Sequence, residues 1–129
     1  MYLNDWEGYN FIDLIREFSD AYDEDFNQIV ITIDDLKKET WAGVDVLLAS
    51  YTNEWYNGDA FVLFKKNGKL YEVNASHCSC HGLEGQWDPE ETCIDSLKKR
   101  LEDGRLGVTY DGVNVYADEL RQVIEKLSQ

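Results

Sequence analysis

Thiol and imidazole side chains are concentrated in one short stretch of the chain. Residues 77–81 read His77-Cys78-Ser79-Cys80-His81 and hold two of the three cysteines and both histidines of the protein. Thiolates and imidazoles bind zinc, exchange disulfides and act as nucleophiles or bases near neutral pH. The first chemistry to consider is therefore a metal site or a reactive thiol.

A zinc site would take its four ligands from His77, Cys78, Cys80 and Cys93. Zinc ligands usually come in pairs that are separated by two to four residues, whereas a single residue separates Cys78 from Cys80. Cys93 would also have to fold back from the element that follows. The spacing argues against a structural metal, and we predict no cofactor.

Thiol catalysis has a similar difficulty. A catalytic cysteine needs a base within hydrogen-bond reach, and adjacency in sequence does not supply that geometry. A disulfide across one residue would be strained and easily reduced. We therefore assign no catalytic residue and read the cluster as a turn after a strand, with buried cysteines as small apolar fillers. A zinc-stabilised or thiol-dependent enzyme centred on the cluster stays open as the alternative function.

The cluster follows a run of predicted β-strands. Asn57-Gly58 and Asn67-Gly68 lie between strand-like segments, and Asn-Gly is the preferred dipeptide of a two-residue type I′ hairpin. Strands over about 46–55, 60–66 and 69–76 follow. Two-residue turns at both dipeptides would align Tyr51 with Phe64 and Phe64 with Tyr71, which gives one mostly apolar face.

Three amphipathic helices are expected to cover that face. The first spans residues 10–22 with Asn10 as its N-cap, the second starts near Pro89 and ends at Gly104, and the third spans about 117–127. The sequence thus predicts a single α+β domain over residues 1–129. Its architecture would be a three-stranded antiparallel meander with two Asn-Gly hairpins and about three helices on one face.

The charge of the protein is strongly negative, at −14. Nucleic-acid binding relies on Lys and Arg, so we expect no direct nucleic-acid ligand and instead the basic surface of a protein partner. Residues 1–28 hold eight acids and one base, which is half of the net charge. The predicted partner-binding residues are acids of this segment and aromatic residues near the cluster, the latter being enriched in binding hot spots. They are Asp13, Glu17, Asp20, Asp23, Glu24, Asp25, Trp55, Tyr56 and Trp87.

No stretch approaches the roughly 20 apolar residues that a membrane span needs, and the N-terminus resembles no secretion signal. An odd number of cysteines also does not suit a secreted disulfide framework. We therefore predict a cytoplasmic protein without a membrane partner. The sequence leaves its oligomeric state open.

Two segments resemble small acidic proteins encoded by bacteriophages and prophages. They are the run from Ala60 to Asn74 and the Ser-His-Cys-Ser-Cys and Gly-Leu-Glu-Gly-Gln-Trp pieces within residues 76–87. The resemblance covers about residues 49–104 and carries no assigned activity. It implies a protein that binds and blocks a host factor. Together with the charge, it predicts a non-enzymatic acidic protein-binding module that inhibits a host nucleic-acid-binding protein, such as a CRISPR or restriction component, by mimicking nucleic acid. A phage protein whose acidity serves solubility alone is the third possibility.

Overall fold

The fold is that of a computed structural model, which describes residues 1–11, 13–14, 43–54, 57–77, 89–109 and 112–128. Residues 53, 54, 57 and 77 are described by their backbone alone. The described chain forms one sheet and two helices. The strands are β1 (Tyr2–Asn4), β2 (Asp45–Glu54), β3 (Asn57–Lys66), β4 (Lys69–His77) and β5 (Glu90–Thr92), and the helices are α1 (Ile94–Glu102) and α2 (Ala117–Leu127).

The sheet has five strands in the order β1-β2-β3-β4-β5. β1 pairs with β2 in parallel and every other pair is antiparallel, so the sheet is mixed. The predicted three-stranded antiparallel meander with about three helices was therefore wrong: the described residues form five strands and two helices. The physical reason is that both edge strands are three residues long, which is too short for an alternating pattern to stand out.

β5 lies in the segment that was predicted to begin the second helix. Its composition, a proline followed by two glutamates, is typical of a first helical turn. The backbone instead pairs with Leu70–Glu72 of β4, and Cys93 is still extended before α1 begins at Ile94. Leu97 and Leu101 of this helix are buried, and Ile94 is partly buried.

The second hairpin has the predicted turn and register. Asn67 and Gly68 have φ values of 54° and 79°, the left-handed conformation that a type I′ turn requires. Phe64 consequently pairs with Tyr71 and Ala60 with Ala75.

The first hairpin differs from its prediction, because the Asn57-Gly58 dipeptide lies within β3 and not in a turn. Glu54 pairs with Asn57, and Tyr51 pairs with Ala60, not with Phe64. A Cβ atom on Gly58 would lie 2.6 Å from the Tyr51 hydroxyl. The absence of a side chain at Gly58 therefore leaves space for the Tyr51 side chain, which extends from β2 toward β3. The register moved by four residues, an even number, so the side chains from Leu48 to Thr52 keep their predicted faces, whereas a bulge between Val46 and Leu48 places Val46 on the opposite face.

Both faces of the sheet are covered. The face that was predicted to be apolar carries Ala49, Val62 and Val73 and packs against Trp6 and Leu14 of the N-terminal segment. The helices α1 and α2, which were also expected on this face, pack on the opposite one. On that face a hydrophobic core contains the sheet residues Leu48, Phe61 and Leu63. They pack against residues of α1, of α2 and of the connection between the two helices, namely Leu97, Leu101, Leu106, Ala117, Leu120, Val123 and Ile124.

Of the helix predicted over residues 10–22, the structure describes Asn10, Phe11, Asp13 and Leu14. Asn10 is its N-cap, as predicted: the Asp13 amide donates to Asn10 Oδ1 at 3.1 Å, and the Asn10 amide donates to Asp13 Oδ2 at 3.0 Å. Leu14 is fully buried. Residues 15–22 lie outside the described part of the chain.

Gly107 fixes the connection between α1 and α2. Its φ of 79° and a Cβ position 2.7 Å from the backbone of Ala117 exclude a side chain. Its carbonyl accepts hydrogen bonds from the amides of Val115, Tyr116 and Ala117, at 2.8, 3.0 and 3.1 Å. The connection is therefore locked against the start of α2. Within the described residues, no helix is both long and apolar enough to cross a membrane.

Candidate functional site

A cavity of about 680 Å³ opens on the helical side of the sheet. It lies at the end where β2 and β4 terminate and β3 begins, which we call the cavity end. Its floor is two cross-strand rows, Ser50-Phe61-Asn74 and Thr52-Asp59-Ser76. Its other wall is the α1–α2 connection, which contributes Arg105, Gly107, Val108, Thr109, Val115 and Tyr116.

The change in side-chain size and polarity along the strands explains why the cavity exists. The row Leu48-Leu63-Glu72 lies under the helices, and the next two rows toward the cavity end are small or polar except for Phe61. Small and polar side chains do not fill the space above the sheet, and they offer little apolar surface for the helices to pack against. An opening therefore remains between the sheet and the connection.

Asn4 holds the connection at its distance from the sheet. Its side-chain nitrogen donates to Ser50 Oγ at 2.7 Å and to the carbonyl of Val115 at 3.1 Å. Ser50 is 1% exposed, so the first of these bonds satisfies a buried hydroxyl. Asn4 has a left-handed φ of 59°, a conformation that asparagine tolerates better than most residues.

An aromatic pair closes the inner part of the cavity. The rings of Phe61 and Tyr116 stack with centroids 4.8 Å apart and planes 7° from parallel. Burial raises the pKa of Tyr116 well above its ordinary value, and the negative charges of Glu72 and Asp59 raise it further, while the charge of Arg100 opposes them. The side chain is therefore a neutral phenol at physiological pH.

A buried ion pair adjoins the cavity floor. Glu72 is 5% exposed, and Arg100 reaches it with two parallel bonds, Nη1 to Oε1 at 2.8 Å and Nη2 to Oε2 at 2.5 Å. Asn74 donates to the same carboxylate at 3.0 Å. Burial alone would raise the pKa of Glu72, but the hydrogen bonds from Arg100, Thr92 and Asn74 and the guanidinium charge outweigh it and lower the pKa.

Two further charged side chains line the cavity, and they differ in their pairing. The guanidinium of Arg105 is bonded to Asp103 at 3.0 Å. The carboxylate of Asp59 is exposed and makes no hydrogen bond or ion pair with the described residues. Among the described residues that line the cavity, Asp59 is therefore the charged side chain without an ion-pair partner, and its charge is negative.

The residues proposed for a metal site are not all brought together. The backbone of His77 pairs with Gly58 at the cavity end, whereas Cys93 follows Thr92, which pairs with Leu70. Seven strand positions separate Leu70 from His77, or about 23 Å at the usual rise of a strand. Two ligands of one zinc ion cannot span this distance. Cys93 is a free, exposed cysteine, and Cys78 and Cys80 lie outside the described residues.

Among the predicted partner-binding residues, Asp13 is the one that the structure describes. It is half-buried, and its carboxylate caps the helix that starts at Asn10. The other predicted residues, Glu17, Asp20, Asp23, Glu24, Asp25, Trp55, Tyr56 and Trp87, lie outside the described part of the chain. Asp59, Arg105 and Tyr116, which line the cavity, were not singled out from the sequence. A correct prediction of the register of the first hairpin would have placed Asp59 in β3, opposite Thr52.

Comparisons of the chain with protein-family models, with curated proteins and with solved structures found no significant match.

Proposed function

We propose that this chain is a non-enzymatic protein-binding module whose acidic surface occupies the nucleic-acid-binding surface of a basic partner. One observation carries the proposal: a folded domain of net charge −14 places half of that charge in residues 1–28. An uneven distribution of this size produces a directional field, which steers association with a surface of opposite sign. Acids that served solubility alone would need no such concentration.

The described N-terminal segment supports this assignment. Asp5 and Glu7 are exposed, and residues 1–14 contain no Lys or Arg. The turn that carries these acids is held in place because Trp6, 1% exposed, stacks on Tyr51 with centroids 5.4 Å apart, and the Asp5 amide donates to the Tyr51 carbonyl at 2.9 Å. Acids on a fixed turn lose little conformational entropy on binding.

The partner class follows from the charge and from the resemblance to phage and prophage proteins. A host nucleic-acid-binding enzyme, such as a CRISPR or restriction component, presents a basic groove that an acidic domain can fill. Such a module would act in the cytoplasm of the bacterial host. It needs neither cofactor nor catalytic residue.

A charge-reversal experiment tests the proposal. Glu17, Asp20 and Asp23 are replaced by Lys together, while Asp13 is left unchanged because its carboxylate caps a helix. The matched control replaces three exposed acids on other elements, Asp45, Glu102 and Glu125, so that both variants have the same net charge.

Each protein is immobilised and exposed to nuclease-treated lysate of a host bacterium, and bound proteins are quantified by mass spectrometry. We expect the wild-type protein and the control to retain a nucleic-acid-binding protein that the N-terminal variant loses. Equal retention by all three proteins, or equal loss from both variants, would rule out the N-terminal acids as the binding surface.

A further inference from the structure

The uncompensated charge in the cavity determines which ligands suit it. Asp59 contributes a carboxylate without a partner among the described residues, and the opposing charge of Arg105 is neutralised by Asp103. The adjoining Glu72–Arg100 pair is also neutral as a unit. A cationic group therefore gains from entering this cavity, whereas an anion would meet the Asp59 carboxylate.

The polar atoms around Asp59 favour a ligand that is rich in hydrogen-bond donors. The amide nitrogen of Asn74 is bonded to Glu72, while its carbonyl oxygen makes no bond with the described residues. The hydroxyl group of Thr52 lies in the same row as Asp59. Carboxylate, amide and hydroxyl oxygens on one surface match a group that carries several N–H donors.

The aromatic side chains of the cavity favour a guanidinium group over an ammonium group as the ligand. Tyr116 lines the cavity, and its stacking on Phe61 fixes the plane of its ring. A planar guanidinium stacks on aromatic rings and forms parallel bonds to a carboxylate, whereas an ammonium is a compact and strongly hydrated charge. The volume of about 680 Å³ lies within the range of small-ligand sites and accommodates one long side chain with part of its backbone.

We propose that this cavity receives an arginine side chain of the basic partner, with the guanidinium group bonded to the Asp59 carboxylate and placed beside the Tyr116 ring. The inference rests on the proposed function for the identity of the partner. It adds a defined anchor to what would otherwise be a diffuse electrostatic contact, and buried arginine anchors commonly dominate the energy of protein interfaces.

A titration with a small probe tests the cavity without any partner protein. N-acetyl-arginine amide is added to the ¹⁵N-labelled protein, and amide chemical shifts are followed by NMR. N-acetyl-citrulline amide is the neutral isostere, and N-acetyl-lysine amide provides the ammonium. The variant is Asp59→Asn, and its control is Asp45→Asn, which removes the same charge from an exposed position at the other end of β2.

We expect saturable shifts at Asp59, Asn74 and Tyr116 with the arginine probe, and weaker binding of both the lysine probe and the citrulline probe. Asp59→Asn should raise the dissociation constant about fivefold, as expected for a partly exposed ion pair, and Asp45→Asn should leave it unchanged. No saturable shift around the cavity, equal binding of citrulline, or an unchanged constant in Asp59→Asn would overturn the proposal. Equal binding of lysine would overturn its guanidinium specificity.

The two proposals fail separately, because the titration uses no lysate and the capture experiment leaves Asp59 intact. Arginine binding in a protein whose captured proteins do not depend on the N-terminal acids would reject the proposed function and retain a guanidinium site. Charge-dependent capture without arginine binding would reject the cavity as an anchor and retain the function.

Discussion

Replacing Arg100 by Met should destabilise the protein substantially at neutral pH. Glu72 is 5% exposed, and Arg100 supplies two of its hydrogen bonds and its compensating charge. Methionine replaces the aliphatic part of the side chain but not the guanidinium, and it leaves a buried carboxylate that Asn74 and Thr92 alone can bond. The perturbation therefore removes a charge partner while it preserves most of the packing.

The structure sets the size of this effect. Removing one partner of a fully buried ion pair costs about 3–5 kcal/mol in the free energy of unfolding. The Arg100 side chain is 27% exposed, so water screens part of the interaction, and two hydrogen bonds to Glu72 remain. We expect a loss of about 2–3 kcal/mol at pH 7.

The loss should depend on pH with a defined sign. In the wild-type protein the pKa of Glu72 is lowered, so the stabilisation is present above the unfolded pKa of about 4.3 and disappears as pH falls through the folded pKa. Without the guanidinium, burial raises the pKa of Glu72, and protonation then stabilises the variant. The difference between the two proteins should therefore shrink on acidification from about pH 7 to about pH 4.

Urea unfolding followed by tryptophan fluorescence at both pH values measures the difference. Arg121→Met is the matched control, because Arg121 pairs with Asp118 on the exposed surface of α2 with 54% and 66% of the two side chains accessible. We expect the control to change stability by at most about 0.5 kcal/mol. A loss in Arg100→Met no larger than in the control, or one that grows on acidification, would show that Arg100 does not compensate the charge of Glu72.

Two further substitutions test how the cavity wall is held. Gly107→Ala should lower the free energy of unfolding by about 3 kcal/mol or more, measured by thermal or urea unfolding, because the new Cβ atom would combine a left-handed φ with a close contact to the Ala117 backbone. Gly112→Ala is the comparison: Gly112 has a φ of 84° and no atom within 4 Å, so the loss should be about 1–2 kcal/mol. Similar losses in the two variants would mean that the contact is unimportant. Asn4→Ala should lower the free energy of unfolding by about 2–3 kcal/mol, because it removes two hydrogen bonds and places alanine at a left-handed φ. Asn4→Gly removes the same hydrogen bonds but tolerates this φ, so it should be the more stable of the two variants. Identical stability of the two variants would exclude a contribution from φ.

The fold was predictable where the local pattern and the turn chemistry agreed. Asn67-Gly68 adopts the left-handed conformation that its sequence favours, and the register of β3 with β4 follows from it. Asn57-Gly58 contains the same dipeptide, yet its glycine serves a different need, which is space for the Tyr51 side chain. A local motif cannot distinguish these two uses, because the second depends on a neighbouring strand.

The candidate site was harder to predict from the sequence than the fold. The cavity floor joins residues of three strands, and the predicted position of the first turn placed Asp59 outside any strand. Tyr116 and Gly107 lie in a connection without periodicity, so no pattern linked them to the sheet. The residue types of the His-Cys cluster indicate a possible metal site, but the pairing of β4 and β5 separates His77 from Cys93 in a way that spacing along the chain does not reveal.

Competition with nucleic acid tests directly whether the protein occupies the nucleic-acid-binding surface of its partner. The partner retained by the immobilised protein is challenged with a short DNA or RNA duplex at constant ionic strength, and the released protein is quantified. We expect nucleic acid to displace the partner in proportion to its occupancy of the partner's basic groove, because both ligands would use the same surface. A partner that stays bound at saturating nucleic acid and forms a ternary complex would rule out a shared binding surface.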